Sequence, residues 1–251
     1  MRLLARPTLC RRCFSARPFP PVTDGLDRWP HLSSTRGILR ALDWAGTLAF
    51  ASSGAVAAAS SGMDLLGAVA VGTITAVGGG TLRDVVVLRA RPFWSDGETE
   101  YLYLAAGAAA LTFFAFPLVG AAAWPDDKEV DAVSLGAFAV IGAMSGARAS
   151  LPPPLALLCG VPTGTGGGVI RDLLTGRPAR VLHSHKELYA TAAAGGAATY
   201  LALLAGGAPL AVRAGAGVAA AAALRYAAWK GGLRLPTWER RAGAEEGLRA
   251  L

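Results

Sequence analysis

Seven apolar stretches, separated by short polar or proline-containing turns, follow one another along the chain downstream of residue 40. Most are close to the length of about 20 residues that an α-helix needs to cross a bilayer. Their internal polar residues are mainly Ser, Thr and Gly, and they lack the charged face that a surface helix of a soluble protein carries. The pattern therefore predicts an all-α membrane protein with seven transmembrane helices. The predicted spans are residues 44–63, 65–88, 101–123, 132–147, 155–174, 188–204 and 210–229.

Composition agrees with the membrane assignment. Hydrophobic residues make up 53% of the chain and charged residues 16%, against roughly 25% charged residues in soluble domains. The net charge of +7 is concentrated in residues 1–36, which contain seven Arg and two Asp. Because the rest of the chain is nearly neutral, the charge does not indicate a nucleic-acid-binding face.

The Arg-rich segment 1–36 has the character of an organellar transit peptide. It contains Ser and Thr, has no acidic residue before Asp24, and lacks the apolar run of a secretory signal. We expect a mitochondrial or plastid membrane, the former being favoured, and a disordered tail is the alternative. Cys10 and Cys13 lie in this segment without the further ligands of a zinc site, and Cys159 stands alone in an apolar stretch.

Loop charges predict the orientation of the chain. If the helices cross the bilayer in turn, more Lys and Arg residues lie on the side of the C-terminus than on the opposite side. The positive-inside rule then places the basic C-terminal tail, residues 233–251, on the cytosol-like face. Arg213 and Arg225 in the seventh stretch would lie near its ends, where long side chains reach the interface.

The chain contains an internal repeat at an offset of 88 residues, the distance from Gly78 to Gly166. Asp43 falls on Asp131, and Tyr101 falls on Tyr189. The repeat spans three helices, so the second copy must enter the membrane from the opposite face and form an inverted repeat. We expect the first copy at residues 40–125, the second at 131–206, and an appended seventh helix at 208–232.

Each copy carries the motif Gly-Gly-Gly-x-x-Arg-Asp in its middle helix. Three glycines weaken a helix by up to about 1 kcal/mol each, so we expect a break whose backbone carbonyls line a cavity. In this interpretation the two Asp attract cations, and the two Arg pair with them or act as a gate. Alternatively, the glycines let the second and fifth helices cross closely, and the charges mark helix ends. The predicted ion path comprises Gly78, Gly79, Gly80, Arg83, Asp84, Gly166, Gly167, Gly168, Arg171 and Asp172.

Other polar residues indicate no catalytic chemistry. Asp43 and Asp131 precede their apolar stretches, which favours helix N-caps over a pore entrance. His183 and His185 have no third ligand nearby, which favours solvated loop residues over a metal site. Because neither a nucleotide motif nor a nucleophile–base pair is present, we expect no enzyme activity, cofactor or resident metal.

Four segments resemble the prokaryote-type branch of the trimeric intracellular cation channel family, also known as the glycine transporter domain family. They are residues 62–94, 131–143, 164–193 and 225–238. The resemblance implies a homotrimer in the lipid bilayer, with one pore inside each subunit. It implies a pore lined by kinked second and fifth helices, which conducts monovalent cations, chiefly potassium. The basic lipid-binding motif of the animal branch is not evident, which puts phosphoinositide regulation in doubt.

Two alternatives to a passive channel remain at this point. Half-helix ends can hold both a carboxylate and an ammonium group, so the chain would also suit a secondary transporter of glycine or another small zwitterion. A membrane scaffold without transport is the third hypothesis, and it predicts that Asp84 and Asp172 tolerate Asn without any change in flux.

Overall fold

The computed structural model describes residue 19 and residues 22–119, 128–179 and 188–232. This described part folds into seven α-helices and contains no strand. A short π-helix, Arg83–Val87, continues α2, and a 3₁₀ turn, Phe93–Ser95, precedes α3. The helices are α1 Thr35–Ala59, α2 Leu65–Leu82, α3 Glu100–Val119, α4 Lys128–Arg148, α5 Pro153–Leu174, α6 Ala190–Ala205 and α7 Leu210–Gly231.

Local sequence signals fix several helix ends. The Ser34 side chain accepts a hydrogen bond from the Gly37 amide and caps α1, and Asp64 caps α2 in the same way. Proline opens α5, where a missing backbone N–H costs nothing. Gly232 follows α7 with a φ of 61°, a left-handed conformation that favours glycine.

The structure corrects the prediction that Asp43 and Asp131 cap their helices. α1 begins at Thr35, eight residues before Asp43, because the helix extends upstream of the apolar run through the more polar residues 35–42. Asp131 is likewise inside a helix, since α4 begins at Lys128. Both carboxylates make tertiary contacts instead, which are described with the candidate site.

The two three-helix units pack with matching contacts. A Cβ atom added at Gly72 would lie 2.6 Å from the Ala109 Cβ, and one added at Gly160 would lie 2.7 Å from the Ala197 Cβ. The residues of the first contact differ from those of the second by the repeat offset of 88. Because successive helices alternate in direction, α1, α3, α5 and α7 begin at one face of the bundle. We call this the α1 face, and the face at which α4 and α6 begin is the α4 face.

The glycine triplets do not break their helices. α2 remains α-helical through residues 78–80, and α5 remains so through 166–168 and on to Leu174. No interruption of the α-helix is therefore observed at either triplet, and the close crossing of the two helices that the alternative predicts is present in this conformation. The helices tolerate the glycines because packing of α2 against α5 compensates for their low helix propensity.

Hydropathy alone singles out fewer helices than the sequence pattern predicts. Among the described residues, Leu65–Val87 and Glu100–Leu118 are long and apolar enough to count as membrane spans by that criterion. Buried arginines such as Arg171 and Arg213, together with many glycines, lower the mean hydropathy of other helices.

Several sequence predictions lie outside the described residues. They concern residues 1–18 of the predicted transit peptide, the Cys10 and Cys13 pair, His183 and His185, and the tail 233–251. Residues 22–34 are described, and they pack against the start of α1 and the loop before α3. This part of the predicted transit segment thus contacts the helical bundle.

Candidate functional site

Each repeat contains a buried Arg–Asp pair one turn beyond its glycine triplet. The Arg83 Nε donates to Asp84 Oδ1 at 2.7 Å, and the Arg171 Nη2 donates to Asp172 Oδ1 at the same distance. Asp84 is 4% exposed and Asp172 is 0% exposed. Pairing, together with the further hydrogen bonds of these groups, offsets part of the cost of removing such charges from water.

Each pair makes further hydrogen bonds. Asp84 Oδ2 accepts a further hydrogen bond of 2.9 Å from the amide of Phe93, in the 3₁₀ turn before α3. In the second repeat the Arg171 Nη1 donates to the Ser53 hydroxyl at 2.9 Å. That bond joins the end of α5 to α1 near the α4 face.

A cavity of about 420 Å³ lies beside the first pair, at the α1 face, and we call it the vestibule. Its inner end is formed by small or apolar residues, including Ala76, Gly80 and Thr163. Neither Arg171 nor Asp172 lines it, so the vestibule belongs to the first of the two Arg–Asp pairs. Its charged lining residues are Arg40, Asp43, Arg83, Asp84, Arg91, Asp96, Glu98 and Arg148.

Beyond the vestibule, α2 and α5 cross in direct backbone contact. A Cβ atom added at Gly79 would lie 2.4 Å from the carbonyl oxygen of Thr163. One added at Gly167 would lie 1.9 Å from the carbonyl oxygen of Thr75. These two contacts are equivalent under the repeat, and both require the absence of a side chain.

An Asp–Tyr–Arg cluster stands at each face. At the α1 face the Tyr101 hydroxyl donates to Asp43, and the Arg40 Nη1 donates to that hydroxyl at 2.7 Å. Arg40 also pairs with Glu98 at 2.6 Å. The cluster therefore fastens the beginning of α1 to the beginning of α3 at the mouth of the vestibule.

The equivalent cluster at the α4 face takes its arginine from α7. The Tyr189 hydroxyl donates to Asp131 at 2.8 Å, and Arg225 binds the second oxygen of the same carboxylate at 2.8 Å. The Arg225 guanidinium also lies 4.5 Å from the centre of the Tyr189 ring, within the range of a cation–π contact. α7 is thus attached to the second repeat.

Of the residues predicted from sequence, the structure brings Gly80, Arg83, Asp84 and Asp43 to the vestibule. Gly79 and Gly167 lie at the helix crossing. Gly78 and Gly166 flank that crossing, since their added Cβ atoms would approach Ile170 and Leu82 respectively. Gly168 is buried within α5. The second pair, Arg171 and Asp172, lies apart from the vestibule at the other end of α5.

Sequence analysis missed Arg40, Glu98 and Arg225 as site residues. The register match of Tyr101 with Tyr189 and of Asp43 with Asp131 was a usable signal, because it repeats both members of each hydrogen bond. No sequence signal was available for Arg225, which lies outside the repeat and takes part only because α7 packs against α4.

Together, duplicated three-helix units, an appended helix and buried charge pairs define an inverted-repeat, all-α membrane protein. The family model named Glycine transporter matches residues 40–117 and 129–205, more than half of the chain. The chain therefore belongs to this family, which includes the trimeric intracellular cation channels.

Bacterial membrane proteins are similar to most of the chain. The inner membrane protein YadS of Escherichia coli is 35% identical over 198 residues, which cover 78% of this chain and 94% of the relative. A membrane protein of Vibrio cholerae is 34% identical over 80% of this chain and 83% of the relative. A membrane protein of Deinococcus radiodurans is 39% identical over 63% of this chain and 73% of the relative. The chain is accordingly a multi-pass membrane protein.

Solved structures extend the similarity to the fold. The trimeric intracellular cation channel orthologue of Rhodobacter sphaeroides matches with a TM-score of 0.70 and 40% identity, covering 78% of this chain and 99% of the other. A second structure, described in terms of conductance through TRIC cation channels, matches with a TM-score of 0.75 and 31% identity. It covers 82% of this chain and 100% of the other. The seven-helix fold is thus shared along the full length of these channels.

Proposed function

We propose that the chain is a channel for monovalent cations, potassium above all, with its path running beside α2 and α5. The observation that carries the proposal is the vestibule, in which four carboxylates surround an opening that leads to the glycine-rich crossing of these helices. The solved relatives described as cation channels support the same function.

The vestibule supplies the first stage of cation entry. Carboxylates in a cleft with low-dielectric walls raise the local concentration of cations. Four arginines line the same cavity and balance the four carboxylates in formal charge, so the attraction is local to single carboxylates, and an entering cation must compete with Arg83 for Asp84. We infer that movement of the Arg83 guanidinium away from Asp84 admits the ion.

The inner part of the proposed path favours a weakly hydrated monovalent ion. The hydroxyls of Thr47 and Thr163 and the carbonyl of Thr75 are neutral oxygen ligands, which replace the hydration shell of potassium at modest cost. Calcium and magnesium prefer sites that include several carboxylates. Among the described residues, no group of three or more His, Cys, Asp or Glu is placed to hold a metal ion.

Conduction through the crossing requires α2 and α5 to separate. With Gly79 and Gly167 in contact with opposing carbonyls, the helices leave little space for an ion between them. We therefore assign the described conformation to a closed channel. Opening would separate the helices and expose the carbonyls of residues 75 and 163 to the ion.

The remaining features of the proposal concern the assembly. We propose a homotrimer with one path in each subunit, the C-terminus on the cytosol-like side, and an organellar membrane reached through the Arg-rich segment 1–36. The unit boundaries at 40–125, 131–206 and 208–232 are part of the same proposal. Light scattering of the purified protein tests the trimer, and a fluorescent fusion of residues 1–40 tests the compartment.

A potassium flux assay in proteoliposomes tests the proposed function. Liposomes containing the purified chain should release potassium down its gradient, and Asp84→Asn should slow the release several-fold because Arg83 then becomes an unpaired cation on the path. Asp64→Asn is the matched control, since an asparagine caps α2 as well as aspartate does, and Asp64 lies at the opposite face. Equal release by Asp84→Asn and the wild type, both folded, would count against the path.

Transport of a zwitterion is the second candidate function. The observation that favours it is the balance of four arginines and four carboxylates around one cavity of about 420 Å³, which suits a ligand with both an ammonium and a carboxylate group. Saturable uptake of labelled glycine into the same liposomes supports this candidate. Potassium flux that excess glycine leaves unchanged supports the channel.

A further inference from the structure

Residues 22–34 cross the α1 face before α1 begins, and we call them the N-terminal strap. Gly25 and Leu26 line the vestibule together with residues of α1, α2 and α4. A Cβ atom added at Gly25 would lie 3.6 Å from the guanidinium carbon of Arg148. The strap precedes residue 40, where the match to the family model begins. It forms one wall of the proposed entrance and lies outside the part of the chain that the family model matches.

One buried ion pair holds the strap to α7. The Asp24 carboxylate accepts hydrogen bonds from Arg213, which is 7% exposed, and from Arg36 at a distance of 3.5 Å. The Nε of Arg213 is buried without a hydrogen-bond partner. Arg213 otherwise donates to the Ala208 carbonyl at 3.2 Å. Since a buried guanidinium that loses its carboxylate partner is costly, the Asp24 carboxylate favours the docked strap.

Further contacts join the strap to α1 and to the loop before α3. The backbone carbonyl of Asp27 accepts from the Arg40 Nε at 2.7 Å, and Arg28 donates to the Gly97 carbonyl at 2.8 Å. Arg28 also pairs with Glu100 at 3.0 Å, but its side chain is 50% exposed, and such pairs contribute at most about 1 kcal/mol. Val22 and Leu26 add partly buried apolar contacts with the core.

The Asp27 carboxylate, close to the turn from the strap into α1, keeps its negative charge at neutral pH. The Ser34 hydroxyl donates to Asp27 at 2.7 Å and, together with nearby His31, holds the pKa of that carboxyl below its usual range. The strap itself contains no helix or strand. Its attachment thus rests on side-chain and carbonyl contacts that can be released without unfolding a regular element.

We propose that the N-terminal strap is an autoinhibitory lid, latched by the Asp24–Arg213 pair, that restricts access to the vestibule from the α1 face. This inference rests on the proposed function for its physiological meaning, because the lid regulates entry to the same path. Release of the latch widens the entrance next to Arg40, Arg148 and Glu98. The strap also lies within residues 1–36, so removal of a transit peptide of that length would remove the lid.

Cysteine accessibility tests the lid without requiring conduction. Ser145 lines the vestibule, and Ser145→Cys can be introduced after Cys10 and Cys13 are replaced by Ser, with the buried Cys159 retained. The rate of modification by a bulky water-soluble thiol reagent should rise about tenfold when Asp24→Arg is added. Thr23→Arg, a substitution at the exposed neighbouring position, is the control and should leave the rate unchanged.

A charge swap separates the latch from simple damage to the fold. Adding Arg213→Asp to Asp24→Arg restores an ion pair at the same place and should return the labelling rate towards that of the Ser145→Cys parent. If Asp24→Arg does not yield folded protein, Asp24→Asn carries the same expectation. A labelling rate that is equal in the parent and in the folded latch variant overturns the lid.

Potassium flux, measured on the same variants, distinguishes failure of the lid from failure of the channel. If Asp24→Arg accelerates labelling but no variant conducts potassium, the lid is supported and the proposed channel function is overturned. If the wild type conducts potassium but Asp24→Arg does not accelerate labelling, the lid is overturned and the channel function is supported. Faster labelling accompanied by faster flux supports both.

Discussion

At the scale of single residues, the glycine triplets act mainly through the side chains they lack. Gly79 and Gly167 each face a backbone carbonyl of the opposing helix, and the repeat relates the two contacts. The motif itself was visible in the sequence, as was its duplication. The sequence left a break and a close crossing as alternatives, because propensity describes an isolated helix, whereas packing against α5 decides the conformation of α2.

We expect Gly167→Ala to destabilise the folded protein by about 1–3 kcal/mol, the usual cost of overpacking, because its methyl group would meet the Thr75 carbonyl. Gly107→Ala is the matched control, since no atom lies within 4 Å of its added Cβ. There the better helix propensity of alanine should leave stability unchanged or raise it. Thermal unfolding in detergent measures both, and equal melting temperatures for the two variants would refute the tight crossing.

At the scale of helices, α7 completes the second repeat. Arg225 reaches Asp131 and Tyr189, whereas in the first repeat Arg40 comes from α1 itself. Sequence analysis placed the seven helices within a few residues for most ends, because long apolar runs and their polar boundaries are strong signals. It placed the start of α1 at Trp44 instead of Thr35, because the first turns of that helix are polar and lie outside the apolar run.

A double-mutant cycle tests the attachment of α7. Asp131→Asn and Arg225→Met should each reduce the free energy of unfolding, and their effects should be non-additive by about 0.5–3 kcal/mol, as for residues in one ion pair. The exposed pair Arg28 and Glu100, changed to Gln at both positions, should show a coupling energy below about 1 kcal/mol. Additive effects at Asp131 and Arg225 would contradict the attachment.

At the scale of the whole molecule, the inverted repeat places similar charge pairs towards opposite faces but gives them unequal surroundings. The vestibule reaches Arg83 and Asp84, whereas Arg171 is bonded to Ser53 away from it. The repeat could be derived from sequence because identical residues recur in register. The difference could not, since the N-terminal strap contributes to the vestibule, whereas residues 110–119, which correspond to part of it at the repeat offset, belong to α3.

This asymmetry predicts different effects for the two aspartates. Asp84→Asn should change the rate at which potassium enters from the α1 face, because Asp84 lines the vestibule. Asp172→Asn should instead lower stability more than it changes entry from that face, because Asp172 is fully buried beside Arg171. Flux from one-sided potassium gradients, combined with unfolding curves, separates the two. If the two variants show the same flux and the same stability, the different roles assigned to Asp84 and Asp172 are contradicted.

The most direct test of a cation path beside α2 and α5 is the reversal potential of single-channel currents in a planar bilayer under a potassium chloride gradient. The proposed channel should give unitary currents that reverse close to the potassium equilibrium potential, and Asp84→Asn should shift that reversal towards the chloride potential while Asp64→Asn does not. A folded, purified protein that gives no currents, or currents that reverse near the chloride potential in the wild type, would contradict the proposal.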